Sequence, residues 1–243
     1  MGFDNFLPHR TGEKNFLRLL AKTNPRLCLD VGANKGHYTQ LILNLTNSKV
    51  IAFEPLPKAH SILAKIEGHH PGRLLAVNKG VGNTNTQLKL YFGQEDSEHA
   101  TFSNEVNQID YVGQQNKNTV SVEVITLDSF FSQYTEAPEE IDLLKIDTEG
   151  YEYEVLIGAQ ETIQNKKPKF IQIEYNLHQL FRNQTLFSLA SLLTNYTVYQ
   201  LLPYGRGLCR RDVKNSQANI FEFSNFVFVR NDILTAELAC CLD

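Results

Sequence analysis

Four short apolar runs in this 243-residue chain each lead into a carboxylate. Leu27-Cys28-Leu29 precedes Asp30, Val50-Ile51-Ala52-Phe53 precedes Glu54, Leu143-Leu144-Lys145-Ile146 precedes Asp147, and Phe170-Ile171-Gln172-Ile173 precedes Glu174. Runs of this length, bounded by turn residues, read as strands buried in a parallel sheet. Ligands of such sheets bind beyond the carboxyl ends of the strands, so Asp30, Glu54 and Asp147 are expected to converge on one cleft. Glu149 follows just past Asp147, and His178 follows Glu174. Carboxylates and an imidazole at strand tips are groups that can give or accept a proton in a reaction. Asp147, Glu149, Glu174 and His178 are therefore the catalytic candidates.

The elements that must position them begin at Leu27–Val31, a strand followed by Gly32-Ala33-Asn34-Lys35-Gly36 and then a helical pattern from His37 to Leu45. A strand, a tight turn and a helix start bring backbone N–H groups up to a small ligand. The turn reads Asp-x-Gly-x-Asn-x-Gly, with Asn34 and His37 where the dinucleotide fingerprint has its second and third glycines. That spacing suits a ligand without phosphates, such as S-adenosylmethionine, at least as well as a dinucleotide. Glu54 lies about 20 residues beyond the turn, at the end of the second strand, where an acidic side chain accepts hydrogen bonds from both ribose hydroxyls of an adenosine.

Three segments in this order resemble the FkbM family of methyltransferases: Asp30-Val31-Gly32-Ala33-Asn34-Lys35-Gly36-His37-Tyr38-Thr39, Ala52-Phe53-Glu54-Pro55-Leu56-Pro57 and Leu144-Lys145-Ile146-Asp147-Thr148-Glu149-Gly150-Tyr151-Glu152. The resemblance covers about residues 25 to 230. It implies a Rossmann-like class I methyltransferase fold and S-adenosylmethionine as cofactor. It also implies O-methylation of a sugar, a polyketide or another small natural product. Cofactor contacts are expected from Asp30, Gly32, Ala33, Asn34, Gly36, Tyr38, Thr39, Glu54, Pro55 and Asp147. Gly80 and Val81 stand where the family brings backbone near the adenine. Methyl transfer from a sulfonium is an in-line displacement, and an alcohol needs a base or a metal ion to become a competent nucleophile. Paired carboxylates are also the ligands Mg²⁺ prefers, so a direct base and a metal-assisted route both stay open.

The remaining pattern predicts an α/β domain over residues 1–243. It has a mostly parallel seven-stranded sheet, helices on both faces and a β-hairpin insertion. Residues 1–24 form an N-terminal arm and a helix carrying Phe16, Leu17, Leu19 and Leu20. Residues 84–125 hold the insertion, because Gln87–Phe92 and Val120–Val124 alternate apolar and polar at a period of two. The long polar connection 93–118 is expected to be a substrate or cofactor lid, with Ser97 and His99 among its polar groups. Single helices are expected over Glu152–Asn165 and from His178 to Leu193. Residues 203–219 read as a basic loop. His69-His70 reads as a solvated turn, since a metal site needs three or more converging ligands.

Composition bounds the partners. Hydrophobic residues make up 42% and charged residues 21% of the chain, as in an ordinary globular protein, and the formal net charge is -4. That balance argues against nucleic acid as a partner, and no apolar run is long enough to span a membrane. A homo-oligomer is compatible with the sequence. Four cysteines (Cys28, Cys209, Cys240 and Cys241) show no metal-ligand spacing, and the N-terminus has no signal-peptide pattern, which together suggest a reduced, cytoplasmic protein. Two competing readings are an NAD-dependent oxidoreductase on a similar sheet, against which Asn34 and His37 speak, and a non-catalytic cofactor-binding module.

Overall fold

The structure, a computed structural model, describes residues 11–94, 99–134, 136 and 138–234. The expected N-terminal arm over residues 1–10, Ser97 and the cysteines Cys240 and Cys241 lie outside the described residues. Helix α1 (Glu13–Ala21) leads to strand β1 (Leu27–Val31), helix α2 (His37–Leu45), β2 (Lys49–Phe53), α3 (Pro57–His69) and β3 (Leu74–Val77). A second, three-stranded sheet follows. It has β4 (Gly80–Val81), β5 (Thr86–Phe92) and β6 (Asn118–Ile125), with helix α4 (Asp110–Gln115) between the last two. The chain returns through α5 (Leu127–Gln133) to β7 (Leu143–Ile146), α6 (Glu152–Ile157), α7 (Gln160–Lys166) and β8 (Phe170–Tyr175). It ends in α8 (Leu177–Phe181), α9 (Leu186–Ser191), β9 (Tyr196–Leu201), β10 (Leu208–Arg210) and β11 (Ser224–Arg230).

The main sheet has the order β10-β9-β11-β8-β7-β1-β2-β3. The five strands from β8 to β3 run parallel, and β11, β9 and β10 are added antiparallel pair by pair. After β1 the chain steps to β2 and β3, then returns to lay β7 on the other side of β1. The carboxyl ends of β1 and β7 therefore flank the point where the winding reverses, which is where an open parallel sheet leaves a crevice. Strands β1, β7 and β8 are buried on both faces, as their near-continuous apolar sequence requires. One face packs Leu29, Val31, Leu144, Ile146 and Ile173 with Val155, Leu156 and Leu189 of the later helices. The other packs Cys28 and Leu143 with Phe16, Leu20, Ile42 and Leu63 of α1 to α3. Among the described residues no helix is long and apolar enough to cross a membrane.

Three expectations are corrected. Among the described residues the main sheet has eight strands, because the stretch read as a basic loop contains β10, whose Leu208 to Arg210 pair with Leu201 to Tyr199 at the sheet edge. Three residues are too few to show a period. The helix expected over Glu152–Asn165 is two helices. Gly158 separates them, and a Cβ there would lie 1.9 Å from the Gly82 carbonyl oxygen, so the two segments approach as only glycine allows. The helix expected from His178 to Leu193 also breaks. Asn183 takes a left-handed φ of 54°, and the Thr185 hydroxyl accepts the Ser188 N–H to start α9 afresh. Leu180 and Phe181 consequently face solvent rather than the core, at 46% and 38% exposed. The insertion is a hairpin of β5 and β6 with β4 paired parallel to β6, and its connection carries α4 and a 3₁₀ turn.

Candidate active site

A cleft of about 590 Å³ opens over the carboxyl ends of β2, β1, β7 and β8. Of the residues singled out in the sequence, Gly32, Ala33, Asn34, Tyr38, Glu54, Pro55, Gly80, Val81, Asp147, Glu149, Glu174 and His178 line it. Asp30, Gly36 and Thr39 do not; they lie beneath or beside it. Asp30 is fully buried within β1, where the Thr39 hydroxyl donates to Oδ2 at 2.6 Å and Lys145 Nζ sits 3.6 Å from Oδ1. Its register partner on β7 is Lys145, so the two charges meet across neighbouring strands.

The glycine turn works through packing. Gly32 has φ +81°, and a Cβ there would fall 1.8 Å from the Asp147 carbonyl oxygen, so this glycine lets the β1 and β7 tips close on each other. Gly36 has φ +82° and leaves the space filled by Leu63 and Ile66 of α3. The loop is tied to the second strand by the N–H groups of Gly32 and Ala33, which donate to the Phe53 carbonyl at 3.0 and 2.9 Å. Glu54, 5% exposed, is held by two backbone donors: Asn34 N–H reaches Oε2 and Leu56 N–H reaches Oε1, both at 2.7 Å. Burial pushes its carboxyl up to about 7 even though those two donors pull the other way. Each oxygen retains a second acceptor position beside the backbone donor it already takes.

Past β7 the chain turns sharply through Asp147-Thr148-Glu149-Gly150. Glu149 carries a left-handed φ of 53° and Gly150 one of 94°. A non-glycine residue in that region is held there by its surroundings at a cost of about 1–3 kcal/mol. The holding group is Glu152, 1% exposed, whose Oε1 accepts the N–H of Thr148 at 2.9 Å and of Gly150 at 3.2 Å, while Gln179 Nε2 donates to Oε2 at 2.7 Å. The insertion adds a further tie, since the Thr101 hydroxyl donates to the Glu149 carbonyl at 2.7 Å.

Glu149 faces two imidazoles. His178 Nδ1 lies 2.9 Å from Oε2, off the line of a hydrogen bond, and His99 Nδ1 lies 3.6 Å from Oε1. Burial alone would raise the Glu149 carboxyl, but these neighbours hold it down to about 2. Its neighbours move the opposite way. Burial and the nearby Asp147 and Glu149 charges push Glu174 well above the usual carboxylate range, and burial raises Asp147 against the pull of Lys145, whose Nζ is 2.9 Å away. Carboxylates driven apart in this way separate a proton-holding group from a charged one. At the far side of His178, 2% exposed, Nε2 lies 3.0 Å from the hydroxyl of Tyr111 on α4, whose ring stacks on the imidazole. With the proton of His178 on Nδ1, toward Glu149, Nε2 is the acceptor of that bond.

One oxygen from each of Asp147, Glu149 and Glu174 lies within 4.8 Å of the others. Oxygen donors of this kind fit a hard divalent cation. The sequence reading missed several lining residues. Glu13 and Thr11 come from the N-terminal segment, Lys145 from inside β7, Phe221 and Phe223 from the turn before β11, and Asn225 from β11 itself, while Tyr111, on the connection expected to be a lid, reaches the cleft from α4. Lys145 alone had a local signal, a charge in an otherwise apolar strand.

A sheet with this winding, a glycine turn after β1 and an acidic tip on β2 defines the Rossmann-like class I methyltransferases. The family model described as the methyltransferase FkbM domain matches residues 30–197, and the chain belongs to that family of S-adenosylmethionine-dependent enzymes. Among curated proteins it is 26% identical over 201 residues to 2-O-methyltransferase NoeI of Sinorhizobium fredii, covering 79% of this chain and 80% of that one. It is also 26% identical over 164 residues to hexuronic acid methyltransferase AglP of Haloferax volcanii, covering 67% of this chain and 62% of that one. Among solved structures, methyltransferase FkbM from Methylobacillus flagellatus shares the fold, with a TM-score of 0.50 and 15% identity. That match covers 84% of this chain and 43% of the other.

Proposed function

We propose that the protein transfers the methyl group of S-adenosylmethionine to a hydroxyl of a small molecule, with a carbohydrate as the leading acceptor. The observation that carries this reading is the line Glu149–His178–Tyr111 at the tip of the strand beside the cofactor turn. The cofactor supplies an electrophilic methyl carbon on a sulfonium. Glu54, on two backbone N–H groups, is set to receive the ribose hydroxyls, and Pro55, Gly80 and Val81 wall the adenine side. Glu149 stays ionised and its charge beside Nδ1 favours the Nδ1–H tautomer of His178, so Nε2 accepts the Tyr111 hydroxyl and acts as a general base through it. As the acceptor oxygen bonds to the methyl carbon and the carbon–sulfur bond breaks, the acceptor's proton passes to the Tyr111 oxygen while the Tyr111 proton passes to Nε2, and Glu149 stabilises the imidazolium that forms. Glu174, whose carboxyl burial and the neighbouring acidic groups push up, lines the acceptor side of the cleft, and Asp147 orients the methionine end. The carbohydrate assignment draws on the hexuronic acid named for one relative.

A second route is favoured by the spacing of Asp147, Glu149 and Glu174. Mg²⁺ held there would lower the pKa of an acceptor hydroxyl. Deuteromethyl-labelled S-adenosylmethionine, offered with a panel of methyl glycosides and uronic acids and followed by mass spectrometry, tests the reaction. A labelled ether fixes the acceptor hydroxyl, whereas a labelled ester on a uronic acid would overturn the hydroxyl assignment. Dependence of the rate on added Mg²⁺, lost with EDTA, separates the metal route from the direct base. Labelled product from no member of the panel would remove the carbohydrate assignment.

A further inference from the structure

We propose that Glu13, brought into the cleft by the first turn of α1, takes the ammonium group at the methionine end of S-adenosylmethionine. The inference rests on the cofactor reading above. With the ribose on Glu54 at the tip of β2, the ligand extends across β1 and β7 toward β8, since these strands are neighbours in that order. Glu13 lines the same cleft at that far end.

Its carboxylate is fixed in place. Gln172 Nε2 on β8 donates to Oε1 at 2.9 Å, and the Thr11 hydroxyl donates to Oε2 at 2.9 Å. Gln172 is itself locked, because its Oε1 accepts the Tyr38 hydroxyl at 2.5 Å and its Nε2 also reaches Asn225 Oδ1 at 3.0 Å. The network thus joins α1, α2, β8 and β11 beneath one carboxylate. Each Glu13 oxygen keeps a lone pair for another donor.

The charges around it ask for a cation. Lys145, stacked 4.8 Å over the Tyr38 ring, already pairs with Asp147 at 2.9 Å and lies 3.6 Å from Asp30. Two carboxylates answer one ammonium there, and Glu13, whose carboxyl burial pushes up against the pull of Lys145, adds a further acidic group that an incoming cation holds in its ionised form. The methionine end of the cofactor brings a sulfonium and an ammonium against a single carboxylate, a surplus of the opposite sign. A charge-assisted bond from a fixed carboxylate to an ammonium is the strong kind.

Calorimetric titration with S-adenosylhomocysteine and with its analogue lacking the α-amino group tests this. The wild type is expected to bind S-adenosylhomocysteine about tenfold or more tightly than the analogue, and Glu13→Gln to bring the two affinities within about threefold. Equal affinities in the wild type, or a full preference retained by Glu13→Gln, would overturn the assignment. Should Glu13→Gln not fold, Glu13→Asp keeps the charge but withdraws it from the cleft, and a full preference in that variant overturns the assignment equally. Binding of neither ligand by the wild type would remove the cofactor reading, and the inference with it.

Discussion

Cofactor binding should expel a proton from Glu54. Both of its oxygens already accept a backbone N–H at 2.7 Å, so receiving two ribose hydroxyls fills four acceptor positions and leaves no place for an acid proton. In the free protein, burial places this carboxyl at about 7. At pH 6 it is therefore about nine-tenths protonated, and at pH 8 about one-tenth. Binding at pH 6 must release close to one proton, and the apparent Kd for S-adenosylhomocysteine should weaken about tenfold between pH 8 and pH 6, or about 1.4 kcal/mol. The sign follows from the linkage: a group whose pKa falls on binding favours the complex as pH rises. Calorimetry at pH 6 in two buffers of different ionisation enthalpy reads the proton count directly. Glu54→Gln, which cannot titrate, should bind more weakly at pH 8 and lose the proton release. A proton count near zero at pH 6 in the wild type would refute the reasoning.

Other expectations follow from the same geometry. Gly32→Ala forces a side chain against the Asp147 carbonyl at a left-handed φ, so it should lower stability by more than the roughly 1–2 kcal/mol of the backbone term alone, read as a fall in the urea midpoint. His178→Gln should lower kcat about 10²–10⁴-fold while the Kd for S-adenosylhomocysteine stays within a few-fold, which separates a base from a cofactor ligand. The depressed Glu149 carboxyl stabilises the fold above its unfolded pKa of 4.5, and this contribution should be lost as pH falls from there toward 2; Glu149→Gln should flatten acid unfolding measured across that window. Asp142, 2% exposed, accepts the N–H groups of Arg26 and Leu27 and pairs with Lys169 at 2.7 Å, so Asp142→Ala should cost about 3 kcal/mol in chemical unfolding.

The strand tips and their order were legible in the sequence because β1, β2, β7 and β8 of the parallel core are short apolar runs that lead into an acidic residue. Glu54 was legible for the same reason, its distance from the glycine turn being fixed by one helix and one strand. The role of the glycines was legible only in part: positive φ is a local demand, but the neighbour each one admits, the Asp147 carbonyl or the side chains of α3, is set by tertiary packing. The far wall of the cleft was not legible. Glu13 meets Gln172 across 159 positions, and Tyr111 meets His178 across 67, so no local pattern joins them. The two broken helices did carry local signals, a glycine at 158 and a Thr185-x-x-Ser188 start, which the apolar period outweighed.

The most direct test of the account is calorimetric titration of the protein with S-adenosylhomocysteine and, in parallel, with NAD. Micromolar binding of S-adenosylhomocysteine with no heat from NAD is the predicted result, because Glu54 and the turn at Asn34 suit an adenosine without a pyrophosphate. Tighter binding of NAD, or of neither ligand, would contradict it.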